Sequence, residues 1–341
     1  MTKKENSMKV SAVGLDDGFA KVKLVSEKTE ISIPSRAREG VVGISGFGGE
    51  SFAGIYRVGD GETWTVDPDI SDTVDTRTEF YPYSGLNRAL VMYALEKAGF
   101  TGKDEILLVT GLPIRDYYSG NGRNEENIRA KESQFEKLIE SADGRPLPKI
   151  VKHMVSPEGV SAWLAYAKEN KLKGGENAPK WIGIIDIGGN TTDIAVVSPR
   201  NQIMDHKHSG SRDLGVLQVH DRLRQGILSR HGIGTISPAL CDEVVRLYTK
   251  TGKATVRLSR KEIDITDIIV DAIGAVGAQI GHAINLVMGK GMMDEVEHMI
   301  VVGGGALMFS DHLGIAGAEI PSEPEYANAR GMYIRASASL E

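Results

Sequence analysis

Two short stretches hold the residue types best suited to chemistry: Leu15-Asp16-Asp17-Gly18-Phe19-Ala20-Lys21-Val22-Lys23 and Ile185-Asp186-Ile187-Gly188-Gly189-Asn190-Thr191-Thr192-Asp193. In each, an apolar run ends on an aspartate and turns through glycine. Glycine lets backbone N–H groups approach phosphate oxygens with no Cβ in the way. A carboxylate at that point suits the hydrated Mg²⁺ that accompanies ATP, because magnesium usually keeps several of its waters. Lys23 would add positive charge beside a β- or γ-phosphate, and Thr191 and Thr192 would add hydroxyl donors. One Asp-Gly turn alone is an ordinary tight turn. Two of them, about 170 residues apart and followed by Gly303-Gly304-Gly305 after a buried run, point to a nucleotide site.

Competing chemistries fare worse. The Gly-x-x-x-x-Gly-Lys-Ser/Thr loop is absent, as is a Gly-x-Gly-x-x-Gly opening a helix. His206-Lys207-His208 would put two imidazoles on one strand face, but no third ligand follows, and zinc sites need three or four. The lone Cys241 reads as a packed helical thiol and fits a reducing, cytoplasmic setting. The formal charge is −6 with no block of Lys or Arg, so direct attraction to nucleic-acid phosphates is not expected.

The elements that must position these residues follow from hydropathy and turn signals. Residues 9–16 and 20–26 read as strands around the first turn, with a third at 29–33. Residues 40–61, rich in glycine, read as strands joined by loops. Thr63 to Val66 is strand-like, and a helix follows from Ser84 to Ala98 with Leu86, Leu90, Tyr93, Ala94 and Ala98 on one face. Ile106 to Thr110 is a buried strand. Residues 124–140 read as one amphipathic helix with Ile128, Phe135, Leu138 and Ile139 as its stripe and a Glu125–Arg129 pair. Ser156-Pro157-Glu158 reads as a helix start, with Ser as N-cap and Pro at the first position. Lys171 to Lys180 is polar and reads as a linker. Beyond it the strand–turn–strand pattern restarts at 181–187 and 192–198, with helices at 214–230, 238–250 and 266–288. The last is interrupted by Asp271, Gln279, His282 and Asn285, so it reads as a core helix and not a membrane span, and Gly277 and Gly281 as close-packing positions.

At 341 residues, 41% hydrophobic and 25% charged, the chain has room for two globular domains. The expected division is 1–172, with 323–341 returning to it, and 173–322.

The order of these motifs resembles the actin superfamily, and within it the ParM/StbA family of plasmid-segregating actins. The resemblance is carried by Asp16-Asp17-Gly18, by Gly111-Leu112-Pro113 through Tyr117-Tyr118 to Asn124-Glu-Glu-Asn127-Ile128-Arg-Ala-Lys131, by Val155-Ser156-Pro157-Glu158, by Val301-Val302-Gly303-Gly304-Gly305-Ala306 and by Asn328-Ala329-Arg330-Gly331-Met332-Tyr333. It implies an α/β actin-like fold of two similar, ribonuclease H-like domains around a nucleotide cleft. It also implies hydrolysis of ATP to ADP, with Asp16 and Asp186 holding the Mg²⁺ environment and Gly18, Lys23 and Gly188 to Thr191 (Gly189 and Asn190 included) around the phosphates. Gly303, Gly304, Gly305 and Ala306 would lie against the adenosine, and Glu158 would orient the attacking water. Arg212-Asp213-Leu214-Gly215 resembles the turn before the helix that reaches toward the base.

Partners implied by the resemblance are further copies of the chain, assembled head-to-tail, and a ParR-like DNA-binding adaptor. Phe19 and Ala20 depart from the family pattern, which often places hydroxyl or small polar residues there. Phosphate contacts at that turn must then come from backbone N–H groups, Lys21 or Lys23. The alternatives are a cytoskeletal actin-like protein, a chaperone-like ATPase or a sugar kinase. No amphipathic membrane-binding tail supports the first, and no appended substrate region after Tyr333 supports the second.

Overall fold

The computed structural model describes residues 9–43, 54–59, 61–70, 72–120, 122–172, 174–232, 236–258 and 260–341. Residues 44–53, at the heart of the glycine-rich stretch, lie outside the described residues. The chain divides into two compact units: Met1–Leu112, Asp116–Glu169 and Tyr326–Glu341 form one, Pro113–Arg115 and Asn170–Glu325 the other.

The first unit opens with β1 (Ser11–Asp17), β2 (Lys21–Ser26), β3 (Glu30–Pro34), β4 (Ala37–Glu39), β5 (Gly54–Val58) and β6 (Thr63–Val66). Helix α1 (Gly85–Lys97), β7 (Glu105–Leu112), the single turn α2 (Ile114–Tyr117), whose first two residues are counted with the second unit, the small hairpin β8 (Tyr118–Ser119) and β9 (Gly122–Arg123), α3 (Glu125–Glu132), β10 (Ile139–Ser141), β11 (Lys149–Pro157) and α4 (Val160–Glu169) follow. The main sheet runs β11-β7-β1-β2-β3, parallel for its first three strands and antiparallel after them; a second sheet runs β10-β5-β6-β4. Ser84 caps α1 by accepting from the Asn87 N–H. Helix α1 is buried from Leu86 to Leu95 on every face, not on one as its pattern suggests, because both strands and loops close over it.

Two further segments of this unit differ from what their sequence pattern suggests. The helix expected over 124–140 stops at Glu132, passes through a 3-10 turn at Ser133–Glu136 and continues as strand β10. Phe135 and Ile139 therefore pack from a turn and a strand, Leu138 is exposed, and Glu125 pairs with Arg123 rather than Arg129. Ser156 and Pro157 do not start a helix; they end β11, whose parallel register with β7 continues to Pro157 opposite Leu112. The turn comes at Gly159, with φ of 73°, and α4 begins at Val160.

The second unit contains β12 (Ile182–Ile187), β13 (Thr192–Ser198), β14 (Ile203–Met204), β15 (Gly210–Arg212), α5 (Val216–His231), α6 (Pro238–Thr251), β16 (Thr255–Leu258), β17 (Lys261–Asp264), α7 (Thr266–Glu295), β18 (His298–Val302) and the short α8 (Ala306–Phe309). Its sheet runs β14-β13-β12-β18 with β15 also on β13. Helix α7 is long and apolar enough to cross a membrane by composition alone, yet Ile268 to Met288 pack into the core with α5, α6 and the sheet. Gly277 and Gly281 lie against His312 and Leu313, where a Cβ would not fit, as their spacing suggests. Cys241 is fully buried, and burial pushes its thiol up to about 11. His206–His208 forms a 3-10 turn capped by Asp205, not a strand, and His208 Nδ1 lies 2.7 Å from the Asp205 carboxylate. Among the described residues no group of three or more His, Cys, Asp or Glu forms a metal cluster.

The last helix, α9 (Ala327–Ala338), belongs to the first unit, where it lies on β1 and α4. Met332 and Ala336 pack on Leu107 and Val109 of β7.

His153 on β11 gives the first unit an acid-sensitive point. Its Nδ1 meets the Glu132 carbonyl at 3.1 Å and its Nε2 meets Thr110 Oγ1 at 2.9 Å. A carbonyl only accepts, so Nδ1 carries the proton and Nε2 accepts from threonine. Burial, aided by the nearby Lys131 charge, pushes the imidazole down to about 4. A native pKa below the unfolded one means stability is full above about pH 6.5 and falls as pH drops toward 4, by up to about 3 kcal/mol. Denaturant titrations of wild type and His153→Gln across that window should show a shallower acid limb in the variant; parallel limbs would remove His153 as the cause.

Candidate nucleotide site

The two hairpins match position for position. Asp17 pairs with Val22 in one and Ile187 with Thr192 in the other, so Asp16 corresponds to Asp186, Gly18 to Gly188, Phe19 to Gly189 and Lys23 to Asp193. Strand alternation sends neighbouring side chains to opposite faces. Val13, Leu15 and Asp17 face α1, while Gly14 and Asp16 face the other side. In the second unit Ile185 and Ile187 enter the core, and Asp186 points the other way.

In the first unit Asp16 and Lys23 are directly opposite and both buried, with Nζ 2.8 Å from the carboxylate. Where the second unit has Ile187, the first has a second acid, Asp17, and it needs a partner. Asn87 of α1 donates to it at 2.6 Å, and the fully buried Lys131 of α3 pairs with it. Lys131 also donates to the Pro82 carbonyl at 2.9 Å and to Asn87 Oδ1 at 3.2 Å, so all three ammonium donors are used. This accounts for the Asn124–Lys131 motif: Asn124 caps α3, Asn127 donates to the Asp116 carbonyl at 3.0 Å, and Lys131 ends under the hairpin. The adjacent acids at 16 and 17 were the signal for such a partner, because alternation forbids both from sharing Lys23.

Glu158 is half-buried between β11 and α4, its N–H donating to Leu112 O at 2.9 Å. Its carboxylate lies over Gly111, whose added Cβ would sit 2.7 Å from Oε1. Asn328 of α9 accepts from the Gly159 N–H at 2.9 Å and so fixes the turn behind Glu158.

In the second unit Gly188 N–H closes the hairpin on Thr191 O at 2.8 Å. The carbonyls of Gly188 and Gly189 accept from Val216 and Leu217, the first N–H groups of α5, at 3.1 and 2.9 Å. Gly215 permits this approach: a Cβ there would lie 2.6 Å from both oxygens. Gln218 caps the Gly215 N–H at 2.7 Å and reaches Asn190 at 3.5 Å. Thr192 is fully buried and gives its hydroxyl to Leu214 O at 2.8 Å, so the donor expected there is committed within the fold. Thr191 Oγ1 lies 3.4 Å from Asp193, and Asp193 takes the Ile114 N–H at 2.9 Å and the Ser211 hydroxyl.

The triple-glycine turn joins this hairpin. Gly303, with φ of 87°, lies against the Asp186 carboxylate and the Ile187 carbonyl, and Gly305 N–H donates to that carbonyl at 2.9 Å. Ala306 then opens α8. Asp186, Gly188–Thr191 and Gly303–Ala306 are thus one cluster in the second unit, and Asp16, Gly18 and Lys23 one cluster in the first.

Residues 8–169 match the family model of the N-terminal region of the plasmid segregation protein ParM, and residues 184–314 that of the C-terminal region of archaeal MreB-like actin homologues. No curated protein matches the sequence. The structure is similar to that of Ta0583, an archaeal actin homologue, at a TM-score of 0.78 and 20% identity over 96% of this chain and 100% of that one. Ta0583 is also known in complex with ADP. A ParM from Clostridium botulinum, solved as a 15-stranded filament, aligns at a TM-score of 0.76 and 17% identity over 97% of this chain and 100% of that one.

Proposed function

Given that this chain has the actin fold, with a ParM-type N-terminal region and an archaeal MreB-like C-terminal region, we propose that it is a Mg-ATP hydrolase whose nucleotide state governs head-to-tail assembly. The observation that carries the reading is the pair of hairpins in matching register, each with a buried aspartate next to last in its first strand and a glycine turn after it. Gly18, Lys23 and Gly188 to Thr191 are the phosphate-binding residues of this reading, and Gly303 to Ala306 flank the adenosine. Asp16 and Asp186 are carboxylates, the hard oxygen ligands that magnesium takes, and so fit the ion, through water. Mg²⁺ would neutralise charge on the phosphates. Glu158, fixed by Gly159 and Asn328, orients the attacking water.

A head-to-tail contact is heterologous and need not close, which is what a filament requires. The N-terminal match supports a cytoplasmic segregation filament that reaches DNA through a ParR-like adaptor, and the charge of −6 agrees with indirect contact. The match over 184–314 favours a second reading, a cytoskeletal filament without DNA cargo. Deleting the gene separates them: frequent loss of its replicon with normal cell shape supports segregation, and altered shape with stable inheritance supports the second.

Light scattering and sedimentation with ATP, ADP and a non-hydrolysable analogue test the assembly. Polymer should form with ATP and the analogue, and its absence at micromolar concentrations would refute filament formation. Glu158→Ala should slow phosphate release about a hundredfold and prolong the polymer's life; unchanged hydrolysis would remove Glu158 from the mechanism.

A further inference from the structure

The first hairpin has a bulky Phe19 and a plain Ala20 where the family pattern often places hydroxyl or small polar residues, yet its carbonyls, like those of the second, are met by donors from outside the turn. Ser35 Oγ donates to the Gly18 carbonyl at 2.7 Å, and the Tyr81 hydroxyl lies 3.5 Å from the same oxygen. Thr76 Oγ1 donates to the Phe19 carbonyl at 2.6 Å, and Ser35 N–H to the Ala20 carbonyl at 2.9 Å. Ser35 and Thr76 are both buried, and the Phe19 ring packs on Tyr81 with centroids 5.3 Å apart. In the second hairpin the corresponding carbonyls, of Gly188 and Gly189, are held by the first N–H groups of α5.

We propose that Ser35 and Thr76 are positioning residues that aim the Phe19 and Ala20 amides at the phosphates of bound nucleotide. The physical link is peptide planarity. In a trans peptide the C=O of one residue and the N–H of the next point in opposite directions. Anchoring the Gly18 and Phe19 oxygens on one side therefore turns the Phe19 and Ala20 N–H groups to the other. Hydroxyls outside the hairpin replace the helix terminus that does this work in the second unit, and side-chain donors at 19 and 20 become unnecessary. Preorganised donors cost no reorientation when the anion arrives.

The inference rests on the nucleotide reading above, and the test separates the two. Mg-ATP is titrated into wild type, Ser35→Ala, Thr76→Val and Thr76→Ser, and into wild type labelled with ¹⁵N-phenylalanine. Ser35→Ala and Thr76→Val should each raise the Kd about tenfold, and Thr76→Ser, which keeps the hydroxyl, should stay within about twofold of wild type. The Phe19 amide resonance should move strongly on binding. If wild type does not bind Mg-ATP, the nucleotide reading itself falls. If wild type binds but the Phe19 amide stays in place, or Thr76→Val binds as tightly as wild type, the positioning role alone is overturned. The labelled wild type decides the matter even if a variant does not fold.

Discussion

Asp186→Ala is expected to reduce Mg-dependent ATP turnover about a thousandfold while leaving the second unit folded. Asp186, next to last in β12, is 5% exposed, and its carboxylate rests against Gly303, where no side chain fits. The hairpin also has backbone bonds of its own that hold its shape. Gly188 closes on Thr191, α5 holds the Gly188 and Gly189 carbonyls, and Gly305 binds the Ile187 carbonyl, all through backbone. Removing the carboxylate is therefore expected to take charge out of the proposed site while these backbone bonds remain. Asp186→Asn keeps the volume and loses the charge, so it should fall as far as the alanine variant. Phosphate release measured against magnesium concentration, with thermal melting of each variant, checks both halves. Retained turnover would take the second hairpin out of the proposed site.

The second large effect concerns stability and runs against helix propensity. Gly331 lies inside α9, where replacing glycine by alanine ordinarily gains about 1 kcal/mol. Here a Cβ would fall inside the Ser161 carbonyl group at the start of α4. On the β1 side of the same helix, Gly14 has no room either, facing the Ala329 carbonyl and the Tyr333 backbone. These are backbone atoms, and neither can swing aside as a side chain would. Gly331→Ala should destabilise the first unit by more than about 3 kcal/mol through overpacking. Gly274→Ala on α7, whose Cβ would meet only His312 at 3.9 Å, should be neutral or stabilising. Denaturant midpoints of the two variants give the comparison, and a stable Gly331→Ala would show that α9 can shift on β1 and α4.

Much of the architecture was legible because its signals are local. The alternating Val22, Lys23 and Leu24, the Asp-Gly and Gly-Gly turns and the apolar run of α7 each state their own element. The motifs quoted for the ParM resemblance led to the fold that Ta0583 and the ParM filament share with this chain. Local signals failed where a distant pairing won. The helical stripe read over 124–140 runs on through Phe135, Leu138 and Ile139, but β10 finds β5 as a partner. Ser156-Pro157 has the letters of a helix start, but the register with β7 carries the strand through it.

By itself the sequence determined where the turns fall and which residues are acids, glycines and hydroxyls, because these follow from near neighbours in the chain. Only the tertiary structure decided what those groups face. Asp16 meets Lys23 across one hairpin, but Asp17 is satisfied by Lys131 from a helix over a hundred residues on, and Thr192 spends its hydroxyl on Leu214. Ser35 and Thr76 look like ordinary loop residues until folding sets them behind the Gly18–Phe19 turn. Spacing along a chain fixes only short-range geometry. The direction of a buried carbonyl or carboxylate is fixed by whichever donor packing brings to it.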